Sequence, residues 1–164
     1  MSLDEFIRKA QSEHSQREFD PKLRLEKWLY ELNELFNAIE AALIRAGLES
    51  KNILNVRKEM HEEFVGSYSF RRLSVFVGEV PIVFDPVATI VFGGFGRVDV
   101  RCGAGRTRLI AIDKDEDPDT KIPLDQRDWK WVVSDPAHPM DYQDFSIDKL
   151  EYILDFVVKE NGRP

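Results

Sequence analysis

The stretch Arg71–Phe84, RRLSVFVGEVPIVF, carries apolar residues at every second position on both sides of Gly78-Glu79. A period of two marks a half-buried strand, and two such runs around a two-residue glycine turn make a hairpin. In that register Leu73, Val75 and Val77 face Phe84, Ile82 and Val80, and Arg72 faces Asp85. The chain therefore contains an antiparallel sheet with one apolar face.

Reading forward, Pro86 has no N–H to donate, so the ladder bends or changes partner there before VATIVF. The glycines at 93–94 and the run CGAG at 102–105 then punctuate FGRVDVR and RTRLIAID, which gives a meander of three strands joined by two turns. Trp129–Val133, WKWVV, alternates again. An antiparallel sheet of five to six strands spanning about 68–134 is expected.

Reading backward, the period becomes helical. Leu25, Trp28, Leu29, Leu32, Leu35, Phe36, Ile39, Leu43 and Ala46 form a stripe between Asp20-Pro21, a capping pair, and Gly47, a stop. This predicts a long helix over 22–46 that must bury one face, on the sheet or partly on a second copy. Leu3, Phe6, Ile7 and Ala10 predict a shorter amphipathic helix over 4–17, although Met1-Ser2-Leu3 could be an expression scar. Ile53, Val56, Met60 and Phe64 suit another short helix over 51–64, the favoured reading, while the flanking Asn and Gly could equally frame irregular chain. At the far end Ser146 heads a closing helix with Ile147, Leu150, Ile153, Leu154 and Val157 on one face, ending at Asn161-Gly162. The chain reads as a single α+β domain, with helices on the apolar face of the sheet.

Composition agrees with a folded core: 43% of the 164 residues are apolar and 32% charged. The start has no apolar leader, and the longest uncharged run, Pro86–Gly96, falls well short of the roughly 18 to 20 residues that span a bilayer. Cys102 is the single cysteine, so no intrachain disulfide or four-cysteine zinc site can form. A cytoplasmic setting is expected, with no membrane contact.

Charge is unevenly spread. The net is −7, yet residues 67–112 hold 6 basic and 3 acidic groups, whereas 113–164 hold 7 and 14. An acidic chain repels nucleic acid at long range, so recognition of an anion would have to be local to the basic middle. If CGAG closes a hairpin with Arg101 opposite Arg106, then Asp99 faces Arg108, and Arg97, Asp99, Arg101, Arg106 and Arg108 share one face. Val98, Val100, Cys102, Thr107, Leu109 and Ala111 take the other. Carrying the pairing through Gly93-Gly94 places Ile90, Phe92, Phe95, Ile110 and Ile112 on the arginine side.

The glycines here do not make a phosphate loop. Gly94-Phe95-Gly96 lacks the third glycine and the following helix of a dinucleotide fingerprint, and Gly105-Arg106-Thr107 has Val100 and Arg106 where a P-loop needs glycine and lysine. Other motifs also fail at decisive positions. Asp113, Asp115, Asp117 and Asp119 start like a calcium loop, but Pro118 and Leu124 replace its glycine and glutamate. His61-Glu62 has Val65 where a zinc-protease helix needs its second histidine, and His14 and His138 lie in unrelated contexts. Trp129 and Trp131 share a face, but the only basic residue interleaved with them, Lys130, points the other way. No metal or cofactor site is expected.

Like charges opposite one another cost stability unless an anion or acidic group lies between them. The leading expectation is a non-enzymatic interaction module, adaptor-like or inhibitor-like, that offers Arg97, Asp99, Arg101, Arg106 and Arg108 to an acidic protein partner. A plain solvated face, or cover by the chain's own acidic 113–128 loop, would account for the same residues. Three rivals stay open: a metal-dependent hydrolase or nuclease on Asp85 and Asp99, a small-anion or nucleotide site, and a homodimer.

Overall fold

The computed structural model describes residues 2–16, 20–115, 122–123, 126–135 and 138–162. Among the described residues seven strands are formed: β1 (Ile53–Glu62), β2 (Gly66–Val77), β3 (Val80–Ala88), β4 (Gly96–Cys102), β5 (Gly105–Asp113), β6 (Trp129–Asp135) and β7 (His138–Asp144). They make one antiparallel sheet in which each strand pairs with the next in sequence. Helices α1 (Leu3–Gln16) and α2 (Pro21–Arg45) precede the sheet, and α3 (Leu150–Asn161) follows it.

The β2–β3 hairpin forms in the expected register, with Leu73 opposite Phe84, Val75 opposite Ile82 and Val77 opposite Val80. The expected helix over 51–64 does not form. Residues 53–62 are β1, laddered on β2 from Ile53 opposite Val75 to Glu62 opposite Gly66. The apparent helical stripe is divided by burial: Met60 is buried, while Val56 and Phe64 are exposed. Ten cross-strand pairings outweigh a short helix that would have had no continuous face to bury. β7 is likewise a strand beyond the expected set. VATIVF does not form a strand of its own: β3 ends at Ala88, and only a lone bridge joins Val91 to Gly94.

Helix α2 starts as its sequence dictates, with the Asp20 carboxylate accepting from Lys22 N at 3.0 Å and Leu23 N at 3.2 Å. Its stripe lies on the apolar face of the sheet. Trp28, Leu32, Phe36 and Ile39 are fully buried together with Leu73, Val75, Phe84, Val98, Val100 and Leu109. Each such side chain contributes on the order of 1.5–3 kcal/mol of burial. Ile153 and Val157 of α3 complete this core. Ser146 makes no side-chain cap; a 3-10 turn over Ile147–Lys149 leads into α3 instead.

Two glycines let the layers approach. A Cβ on Gly96 would lie 2.1 Å from the Trp28 ring, and one on Gly105 would lie 1.9 Å from the Val157 carbonyl oxygen. So α2 is seated on the start of β4, and α3 on the β4–β5 turn.

A buried polar knot fixes the segment that leaves the ladder after β3. The Glu62 carboxylate accepts from the Tyr68 hydroxyl, from Thr89 N at 3.1 Å and from Ile90 N at 3.0 Å. Trp28 Nε1 donates to Tyr68 Oη at 3.2 Å, and Thr89 Oγ1 donates to the Phe95 carbonyl at 2.6 Å. Burial first, and then Glu62, push the Tyr68 phenol above the usual tyrosine range, so it remains a neutral donor. This knot carries Phe95 to the helix side, where it stacks on Trp129 at 5.0 Å beneath the Arg24 guanidinium. The expectation that Phe95 shares the arginine face is thereby overturned. Among the described residues no helix is long and apolar enough to cross a membrane.

Candidate functional site

The face of the sheet opposite α2 and α3 collects charge. Cross-strand pairing sets Asp85 opposite Asp99, Asp99 opposite Arg108, and Arg101 opposite both Val83 and Arg106. The register inferred for the β4–β5 hairpin is therefore the one formed. Val98, Val100, Cys102, Thr107, Leu109 and Ala111 are buried on the other face. Burial alone pushes the Cys102 thiol up, away from the thiolate a nucleophile needs.

Asp85 is the centre of the patch. It is buried, with Lys58 Nζ at 2.8 Å and Arg72 Nε at 3.2 Å from Oδ1, and Arg101 Nη2 at 3.2 Å from Oδ2. Lys58 also donates to the Pro86 carbonyl at 2.6 Å. Burial would raise the Asp85 carboxyl, but Lys58 and Arg72 outweigh it and hold the group below its ordinary value. Arg72 thus meets Asp85 as the hairpin register requires. Lys58 could not be anticipated, because it lies in the segment whose spacing reads as a helix.

Neighbouring Asp99 is taken by Arg97. Their Nε–Oδ1 separation is 2.9 Å without hydrogen-bond alignment, and Arg97 Nη2 donates to Oδ2 at 3.3 Å. That leaves Arg106 and Arg108. Neither forms an ion pair with any described residue, although Arg108 lies directly across from Asp99. Arg106 is exposed and Arg108 half-buried.

The patch sets Lys58, Arg72, Arg97, Arg101, Arg106 and Arg108 against Asp85 and Asp99. Lys130 and Asp144 pair with each other at 3.2 Å and add no net charge. Exposed apolar side chains stand at its margins: Leu54 and Val56 on β1, Tyr142 on β7, and Phe92 in the β3–β4 connection. The acidic stretch is tied off at its base, where Asp113 meets Arg127 at 2.6 Å and Lys114 N donates to the Asp128 carbonyl at 2.9 Å. The calcium-like positions Asp117, Pro118, Asp119 and Leu124 lie outside the described residues, as does half of the 113–128 segment expected to be able to cover the arginines.

Chemically this face carries more cationic than anionic side chains. Both Asp85 oxygens are already engaged by cations, so a divalent metal ion bridging Asp85 and Asp99 would enter against Lys58, Arg72 and Arg101. Among the described residues no group of three or more His, Cys, Asp or Glu is arranged to hold a metal. No protein-family model, curated protein or solved structure matches the chain.

Proposed function

We propose that the chain is a non-catalytic interaction module that presents the β4–β5 arginines to an acidic surface on a partner protein. The observation that supports this reading best is the pair Arg106 and Arg108, which have no counter-charge among the described residues while Arg101 and Arg97 are already paired. Two guanidiniums on alternate positions of β5, and so on one face, can receive carboxylates in bidentate fashion, and their planar forks lose less freedom per hydrogen bond than ammonium groups do.

A protein partner is favoured over a nucleic acid by two features. The chain as a whole carries −7, which opposes approach of a long polyanion. The margins of the patch offer Leu54, Val56, Tyr142 and Phe92, the apolar and aromatic contacts that protein interfaces use beside arginine.

Amide NMR titrations of the full chain test this reading, with a Glu/Leu/Tyr peptide, a short DNA duplex and inorganic phosphate as separate probes. Shifts confined to β3–β5 with the peptide, and absent with the other two, are expected. Peptide shifts confined to the helix-bearing face would overturn it.

A further inference from the structure

Strand β7 puts polar residues on the side of the sheet where β4 and β5 put the core. There Gln143 stands opposite Val133 of β6, with Asp141 two residues before it. Both line a cavity of about 180 Å³ that α3 walls with Tyr152, Ile153 and Phe156, and that His138 closes at the start of β7. Val133 pairs with the fully buried Leu109, so the cavity lies across the sheet from the arginines.

The lining selects by charge. No lysine or arginine lines the cavity, and Asp141 is its one carboxylate. Asp85, Asp99, Asp113 and Asp144 each face a cation, whereas Asp141 forms no ion pair or hydrogen bond with any described residue. The same holds for the side chains of His138, Gln143 and Tyr152. Thr107 donates its hydroxyl to the Ser134 carbonyl at 3.2 Å, so toward the cavity it offers lone pairs only. Tyr152 and Phe156, four positions apart on α3, bring two rings to one wall. A carboxylate beside aromatic rings attracts an organic ammonium group; an anion would meet Asp141 with no lysine or arginine to offset it.

We infer that this cavity between α3 and β5–β7 is a binding site for a small organic cation, an alkyl- or methylammonium whose charge sits between Asp141 and the rings of Tyr152 and Phe156. Size narrows the class further. At about 30 Å³ per water the cavity takes about six, which suits a ligand of about six to eight non-hydrogen atoms; drug-sized molecules need roughly 300 Å³ or more. Gln143 and His138 remain to bond a hydroxyl or carbonyl at the ligand's other end. The surrounding segment 113–164, with 7 basic and 14 acidic groups, favours approach of a cation.

Three probes decide it, read by amide NMR of the full chain at constant ionic strength: choline, its uncharged carbon analogue dimethylbutanol, and acetate. Choline should give saturable shifts confined to β5–β7 and α3, and the other two should give none. Asp141→Asn should weaken choline binding at least about fivefold. Tyr152→Leu should weaken it about two- to fivefold. Both variants should keep the native amide pattern elsewhere, because neither side chain bonds to a described residue. Equal binding of dimethylbutanol, preference for acetate, choline shifts that never saturate or that lie elsewhere, or native affinity in a folded Asp141→Asn chain would each overturn the assignment.

Discussion

Arg101 and Asp85 stand on neighbouring strands with Nη2 and Oδ2 3.2 Å apart, and this pairing separates the arginines into two kinds. Arg101, with Arg72 and Lys58, braces a buried carboxylate. Arg106 and Arg108, one strand over, brace nothing among the described residues. Substitutions in the first set therefore act on the fold, and those in the second should spare it and, on the proposed reading, weaken binding.

Asp85→Asn should cost about 1–3 kcal/mol, read as a lower denaturation midpoint with unchanged slope. The three cations would keep only a neutral amide between them. Arg72 and Arg101 reach solvent, which keeps the loss below that of a fully buried ion pair.

The same group sets an acid dependence. Asp85 is held below its ordinary value of 3.8, so the folded state binds its proton less readily than the unfolded state. Its stabilisation is fully present above about pH 4 and is lost as pH falls through the lower folded value. The stability gap between the native chain and Asp85→Asn should therefore be constant from pH 7 to about pH 5 and shrink below pH 4. A gap that widens on acidification would contradict this.

Much of this arrangement was legible in the sequence because strand alternation fixes register once a turn is placed. Gly78-Glu79 and CGAG place two turns, and from them follow the Leu73–Phe84 and Asp99–Arg108 pairings and the buried face from Val98 to Ala111. Residues 53–62 were misread because Ile53, Val56 and Met60 are spaced equally well for a turn of helix, and the ladder that decides between the two is made with β2, not within the segment. Lys58 was missed with it. Phe95 was misplaced because its direction depends on Glu62 gripping the backbone at Thr89 and Ile90, a contact 27 residues away in sequence at its nearest. β7, HPMDYQD, lacks apolar alternation because it is an edge strand paired only with β6.

Gly105→Ala should be among the most damaging single-atom additions. Its new methyl group would meet the Val157 carbonyl oxygen at 1.9 Å, so α3 must lift from the hairpin. A loss of about 3 kcal/mol or more is expected by chemical denaturation. Asn161→Ala, which removes only the 3.1 Å bond accepted from Ala104 N, should cost about 1 kcal/mol.

Tyr68→Phe tests the polar knot. It removes the donor to Glu62 and the acceptor for Trp28 Nε1 while keeping the ring, so about 1–3 kcal/mol should be lost. In an alkaline absorbance titration, the native chain should show Tyr68 remaining protonated through the usual tyrosine range near pH 10. A fully normal titration of all four tyrosines in the folded chain would contradict the buried bond to Glu62.

The double variant Arg106→Ser with Arg108→Ser addresses the central claim most directly, through its affinity for the Glu/Leu/Tyr peptide at about 0.15 M salt. The fold should be untouched, with stability within about 0.5 kcal/mol of the native chain or slightly higher, since a like-charge pairing with Arg101 is removed. Affinity should fall at least about tenfold and lose most of its salt dependence. Native-like affinity in a folded double variant would contradict the assignment of this face as the binding surface.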